Sequence, residues 1–386
     1  MNYVVLSPHF PPNYAAFSIN LRRLGANVLG LGDVPYESMP AELRGALAEY
    51  YRVSDLHRYD ELVRGLGHFT HRYGKLDRFE SQNEYWLETD ARLREDFNIN
   101  GLRPAGLEPM KRKSAMKCVF QKNGVPAARG RVCRSLDEGR VLAAETGYPL
   151  VAKPDIGVGA NATYKLHSDA ELESFFLRKA HVDYILEEFI QGDLFSFDGL
   201  VDQAGKLVFC SSMYFSLGIM ETVNEGLDIY YYTLREIPPE LEAYGRKLVR
   251  AYRLRERFFH FEFFRTAEGK FVVLEVNMRP PGGLSTDMWN YANDIDIYAE
   301  YAGVVMHNRF TAEVKRPYHC AYVARRNGRA YSLTHEQVLA AFPGKVVGHQ
   351  PMSGVFAPAL GDYGYLVRSP DLGEVQEIIG KIHRRP

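Results

Sequence analysis

Cysteine is scarce. Cys118, Cys133, Cys210 and Cys320 are the only four in 386 residues, and none forms a C-x-x-C pair. That spacing supports neither a zinc site nor a disulfide framework, and free thiols in a chain of this size suit a reducing cytoplasm. Charge of either sign is in no excess. Lys+Arg total 47 and Asp+Glu 48, a net charge of −1, so no bulk electrostatic pull toward nucleic acid or an anionic membrane is expected. Long apolar runs are missing: stretches such as 207–220 are shorter than a bilayer span and carry Ser and Gly. Met1–Leu6 has no basic flank and too short an apolar run for a secretory leader. No internal repeat, low-complexity tract or G-x-x-x-x-G-K-[ST] phosphate loop occurs. These absences predict a cytoplasmic globular protein whose partners are neither nucleic acid nor membrane.

What is present is ordinary globular material. Apolar residues make up 46% and charged residues 25%, enough for two or three cores at roughly 100–200 residues per domain. Tyr3–Leu6 reads as a strand, Phe17–Leu24 as a helix ended by Gly25, and Ala26–Leu31 as a second strand. This βαβ pattern implies a parallel sheet. Residues 41–97 read as mostly helical with short interruptions, and Gly101, Pro104, Gly106 and Pro109 mark a linker. Beyond it, Lys113–Asn123, Leu136–Thr146, Asp169–Lys179 and Pro239–Tyr252 have helical patterns. Strands are expected at 148–153, 163–166, 184–189, 195–201, 206–214, 258–265 and 270–277. Residues 291–308 are expected to be helical, followed by a smaller α+β tail.

Three constellations carry chemistry. The first is Lys153 at a strand end, followed by Gly157-Val-Gly159-Ala-Asn161-Ala162. These letters fit G-x-G-x-x-[GA], but Thr163–Leu166 reads as strand where a dinucleotide site needs a helix. A loop of small residues between two strands can instead lower its N–H groups onto phosphates, with Lys153 as a point charge. The second is Glu262, followed thirteen residues later by Glu275-Val-Asn277-Met-Arg279. Alternation puts Glu275, Asn277 and Arg279 on one strand face, and a hairpin brings Glu262 within about 5 Å of them. Two carboxylates and an amide oxygen among Phe, Val and Leu are hard-oxygen ligands for Mg²⁺. The third is Glu187-Glu188-Phe189-Ile190 before Gly192, a strand end whose backbone and carboxylate could hydrogen-bond a purine. Elsewhere, His68 and His71, the arginines 250, 253, 255 and 257, and Trp86 and Trp289 read as structural or solvated residues.

In this order, and with Lys113 eleven residues before Gly124-Val125-Pro126, these segments resemble the ATP-grasp superfamily, in particular its carboxylate–amine ligases. The resemblance implies a mixed α/β and α+β architecture: a Rossmann-like N-terminal domain over 1–108, a small subdomain with the flexible glycine loop over 109–184, a large subdomain with the metal site over 185–310, and a C-terminal α+β subdomain over 311–386. It implies ATP held by Lys113, Lys153, Gly157, Gly159, Glu187, Glu188, Phe189, Ile190 and Asp193. Two Mg²⁺ ions, with Mn²⁺ as a substitute, would sit on Glu262, Glu275 and Asn277. Arg279 and Lys153 would serve catalysis. The reaction implied joins a small-molecule carboxylate to an amine through an acyl phosphate, releasing ADP. A bicarbonate-activating enzyme that makes carboxyphosphate and a non-catalytic ATP-binding regulator stay open as alternatives, as does a homodimer. Two departures stand out. Relatives carry a ribose-binding glutamate where Leu194 stands, leaving Asp193 or Asp198 for that contact, and the loop offers Asn161 and Thr163 in place of a serine. Pro280-Pro281-Gly282-Gly283 directly follows Arg279, and its free N–H groups, with the helix around 287–292, are expected to face the acid.

Overall fold

The computed structural model describes residues 1–157, 162–218, 222 and 226–386; Gly159 and Asn161 of the glycine-rich loop lie outside the described residues. The chain opens with β1 (Asn2–Leu6), β2 (Asn27–Gly32), β3 (Glu49–Arg52) and β4 (Arg78–Glu80), an all-parallel sheet in the order β3-β2-β1-β4. Val4, Leu6, Leu29 and Leu31 are fully buried because helices cover the sheet. The stretch 41–97 is mostly helical with short interruptions, which here include strands. It contains helices Ala41–Ala46, Tyr59–Tyr73 and Leu87–Asp96, but also β3 and β4. Strands of four and three residues that begin or end on charged side chains are too short for period-two alternation to show.

A second sheet is formed by β5 (Gly130–Val132), β6 (Leu150–Pro154), β7 (Tyr164–Leu166) and β8 (Tyr184–Glu188), antiparallel in the order β5-β8-β6-β7. Helices Leu136–Thr146 and Asp169–Arg178 close one face over Leu150, Leu166 and Leu186. Ser135 and Ser168 cap these helices by accepting from Glu138 N and Glu171 N. Helix Lys113–Lys122 abuts the end of β6: Asp155 accepts from Ser114 N and Oγ (2.8 and 2.9 Å) and from Arg112 Nη1 (2.8 Å).

The third sheet has nine strands. They are β9 (Gly192–Val201), β10 (Leu207–Ser211), β11 (Met213–Phe215), β12 (Tyr230–Thr233), β13 (Arg257–Thr266), β14 (Phe271–Asn277), β15 (His319–Arg325), β16 (Val346–Pro351) and β17 (Tyr363–Ser369). Its main path runs β14-β13-β9-β11-β12-β15-β17-β16, with β10 beside β9. The three strands from 311–386 therefore extend the sheet that holds β13 and β14, and the boundary expected at 310 falls within one hydrogen-bonded sheet. Phe258, Phe259, Phe261 and Phe263 are all buried because β13 is covered on both faces. Helix Pro239–Ala251 packs with Phe197, Phe259 and Phe261, while Trp289 and Tyr301 pack with Phe258.

The helical stretch expected over 291–308 comprises the end of helix Ser285–Asn293 and helix Ile297–His307. Asp294 adopts a left-handed backbone (φ 51°), and Asp296 then caps the second helix by accepting from Tyr298 N and Ala299 N. Arg257, expected at a solvated helix end, is instead buried on β13, where it donates to the Met278 carbonyl (2.8 Å) and pairs with Glu80 of the first sheet. Among the described residues no helix is long and apolar enough to cross a membrane.

Candidate active site

Where the second and third sheets meet, the chain passes from β8 to β9 through Phe189–Gln191, and a cavity of about 530 Å³ opens between the two sheets. Its lining brings together every described residue of the expected site: Lys113, Lys153 and Gly157; Glu187–Ile190 and Asp193; Glu262, Glu275, Asn277 and Arg279.

The carboxylate side is a small grid on three adjacent strands. On β13, Glu262 stands between Ser196 of β9 and Glu275 of β14; one pleat away, His260 stands between Asp198 and Asn277. Residues two apart share a face, so the two carboxylates and the amide converge as the hairpin predicts. A register shift just after Glu262 skips Leu274, which joins Glu275 in the cavity wall. Asn277 Nδ2 lies 3.5 Å from Glu275 Oε1, which leaves the amide oxygen as a ligand atom.

Behind this set lies a buried relay that sequence reasoning missed. Ser196 Oγ donates to Asp198 Oδ2 (2.6 Å), His260 Nδ1 meets Asp198 Oδ1 (2.6 Å), and His260 Nε2 meets Glu262 Oε1 (3.0 Å). Burial opposes a charge on His260, but Asp198 and Glu262 outweigh it and raise its pKa to about 9. The imidazolium then donates at both nitrogens and fixes one oxygen of Glu262. Burial works against the Glu262 charge too, yet His260 holds its carboxyl below the ordinary range. The signal was readable, since His260 is two residues before Glu262 and so shares its face. Asp198 is fully buried in this relay and absent from the cavity wall, which removes it as a ribose ligand. Asp193, Leu194 and Gln191 line the cavity there.

The phosphate side also holds contacts that sequence reasoning missed. Glu187 is buried, and its two oxygens pair with Lys117 and with Lys153. Burial would raise its carboxyl, but Lys153 and Lys117 hold it below the usual carboxylate range. Each carboxylate oxygen thus meets one lysine. Glu188 accepts from Arg129 N and Nε (both 2.7 Å). What the hinge offers a base is backbone and apolar surface, with Val151, Ile190, Phe264 and Leu274 around it. Lys113 starts its helix and donates to the Gly157 carbonyl (3.2 Å), tying the helix to the start of the glycine-rich loop. Lys117, one turn further on, carried no sequence signal beyond its lysine.

Arg279 follows β14 and donates to the Pro280 carbonyl (2.8 Å). Glu84 of the N-terminal unit is buried nearby and accepts from Met278 N (3.3 Å); burial pushes its carboxyl up, against the pull of Arg279 and Lys111. Pro281, Gly282 and Ser285 of the turn after β14 line the same cavity as Arg279. His68 meets Glu49 (2.6 Å) in a structural contact. Among the described residues no group of three or more His, Cys, Asp and Glu side chains is placed to hold a metal; the two carboxylates and amide of the hairpin are the set that suits a hard cation.

Comparison with known proteins agrees with this reading. Residues 146–287 match the family described as the ATP-grasp domain. The L-arginine-specific L-amino acid ligase of Bacillus subtilis is 24% identical over 248 residues, 59% of this chain and 59% of that protein, so the match spans little more than half the relative's length. The fold resembles the crystal structure of an L-amino acid ligase from Bacillus licheniformis, at 17% identity and a TM-score of 0.75, covering 99% of this chain and 96% of that one. It also resembles the biotin carboxylase domain of Hydrogenobacter thermophilus 2-oxoglutarate carboxylase, at 16% identity and a TM-score of 0.67, covering 95% and 86%. The family match and the fold converge: the chain carries an ATP-grasp domain over residues 146–287 within a fold shared with the solved L-amino acid ligase.

Proposed function

We propose that this protein is an ATP-dependent carboxylate–amine ligase that works through an acyl phosphate and releases ADP and phosphate. The observation that carries it is the opposition, across one cavity, of the Lys113–Lys153 pair and the Glu262/Glu275/Asn277 set, with Arg279 beside them. Phosphoryl transfer needs positioning and neutralised charge more than covalent help from the protein. Lys113 and Lys153 supply positive charge to the upper phosphates. The hairpin's donors suit Mg²⁺, two ions in this proposal, whose chemistry when bound is to neutralise the β- and γ-phosphates.

The acid's carboxylate oxygen attacks the γ-phosphorus, and the bond to the β–γ bridging oxygen breaks, sending that electron pair out with ADP. Arg279, a planar fork, grips the resulting acyl phosphate. An amine then attacks the acyl carbon, phosphate leaves, and the amine nitrogen loses a proton to form the amide. Gln191 or Asp193 takes the ribose contact in place of the missing glutamate. The likeness to an amino-acid ligase over nearly the whole chain favours amide or peptide formation over bicarbonate activation. Chromatography of the spent nucleotide, together with hydroxylamine trapping, tests the scheme. ADP and a hydroxamate that depends on an added acid are expected; AMP with pyrophosphate would mean adenylation and reject it.

A further inference from the structure

The Arg279 end of the cavity differs from the rest. Phe215, Tyr231, Phe356, Ala359 and Leu360 line it, and all five belong to one apolar cluster. They come from β11, β12 and the short helical turn at Ala357–Leu360. Stacking fixes them: Phe215 on Tyr231 (5.0 Å between centroids), Tyr231 on Tyr322 (5.0 Å), and Phe356 on Phe10 of the N-terminal unit (5.2 Å). The patch reaches the turn after Arg279, since a Cβ added at Gly283 would lie 2.6 Å from Leu360 Cδ1 and 3.3 Å from the Tyr231 hydroxyl. Apart from Arg279, every ionised lining residue among those described comes from the lysine, hinge or hairpin elements on the nucleotide side.

One polar atom interrupts this patch. Tyr231 is 1% exposed, and its hydroxyl makes no well-formed hydrogen bond among the described residues, the Ser285 side chain being a polar neighbour. Ser285 Oγ, near it, donates to the Gly282 carbonyl (2.8 Å). A buried hydroxyl without a well-formed hydrogen bond is costly and calls for an explanation. In a cavity wall beside an arginine, a ligand supplies one.

We propose that this end is the acid subsite and that the activated acid carries an apolar side chain, branched or aromatic. The side chain rests on Phe215, Phe356 and Leu360, while the Tyr231 hydroxyl hydrogen-bonds the polar head group next to Arg279. An ionised side chain there would lose its hydration and find no partner, and the hydroxyl discriminates against ligands that leave it unpaired. The inference rests on the ligase reading above.

The test measures hydroxamate and ADP with Mg²⁺, ATP and hydroxylamine over a panel of acids: leucine, methionine and phenylalanine against glycine, serine, aspartate and lysine. The apolar acids are expected to lead in kcat/KM by roughly tenfold or more. Tyr231→Phe keeps the ring, and is expected to raise KM for the acid about tenfold while leaving KM for ATP unchanged. Leu360→Ala is expected to shift preference toward larger side chains. Hydroxamate formed best from aspartate or lysine would overturn the subsite while leaving the ligase standing. An unchanged KM for the acid in Tyr231→Phe would overturn the role of the hydroxyl. ADP release that no acid stimulates would overturn the ligase reading and this inference together.

Discussion

Glu187→Gln isolates the electrostatics of the phosphate side. The wild-type carboxylate is buried between two lysines whose side chains are each 9% exposed. Removing its charge leaves two buried ammonium groups sharing one amide oxygen. Breaking a buried pair in this way costs about 3–5 kcal/mol. The remaining amide hydrogen bond returns part of that, so about 3 kcal/mol is expected. At roughly 2 °C per kcal/mol for a large domain, the ligand-free melting temperature should fall by about 6 °C. Bound nucleotide changes the outcome, because phosphates bring negative charge to Lys153, the one of the two that lines the cavity. The deficit should shrink by half or more at saturating MgATP, as seen by calorimetry with and without nucleotide. The pH dependence follows from the lowered carboxyl of Glu187. Its contribution is complete above the unfolded value of about 4.3 and is lost as pH falls through the lower folded value, so the gap between the two proteins should persist at pH 6 and close only in strong acid. Equal melting without nucleotide would refute the buried-charge argument. A deficit untouched by MgATP would refute the claim that Lys153 faces phosphates.

Glu275→Ala should fold normally by circular dichroism yet lose about a thousandfold in ADP release, because the hairpin loses a cation ligand. His260→Asn removes the bridge from Asp198 to Glu262, and the Mg²⁺ concentration for half-maximal activity should rise about ten- to a hundredfold, read from a metal titration. Gly283→Ala places a Cβ 2.6 Å from Leu360 at φ +65° and should cost about 1–2 kcal/mol in urea unfolding from the left-handed backbone alone.

The site was legible in the sequence because its chemistry is concentrated in two local patterns. The thirteen-residue gap from Glu262 to Glu275 is a hairpin, and the structure pairs these two residues directly. Lys153 before the small-residue loop is a strand end, and it reaches the cavity. What stayed hidden is what many-stranded sheets bring together from distant positions. Asp198 lies 62 residues from the histidine it holds, and Glu187 lies 70 from Lys117; no local periodicity encodes such pairs. Glu187 is an instance, for its place at the strand end suggested a purine contact, and the sheet register brings its carboxylate to the lysines. Arg257 was misread for a related reason. A run of arginines looks solvated until a neighbouring domain supplies Glu80 as a buried partner. The strands of 311–386 were seen as a separate tail because sheet continuity is a property of long-range pairing.

The N-terminal unit contributes no residue to the cavity wall among those described, yet it shapes the turn where the acid is proposed to bind. Tyr14 donates its hydroxyl to the Pro281 carbonyl (3.2 Å), and Asn13 Nδ2 donates to the Gly283 carbonyl (3.2 Å) and to Asp287 Oδ2 (2.8 Å). A trans peptide is planar, with its C=O and N–H pointing opposite ways. Holding the Pro281 oxygen toward Tyr14 therefore aims the Gly282 N–H away from the N-terminal unit, and holding the Gly283 oxygen does the same for the N–H of Leu284. Gly282 lines the cavity, so the hydrogen bonds made outside the turn orient donors inside it. Pro280 and Pro281 add rigidity and contribute no N–H of their own to compete. The turn of the proposed acid subsite is thus oriented by a unit that touches neither nucleotide nor cation in the proposed scheme, which gives the first sheet a physical reason to be packed against the third.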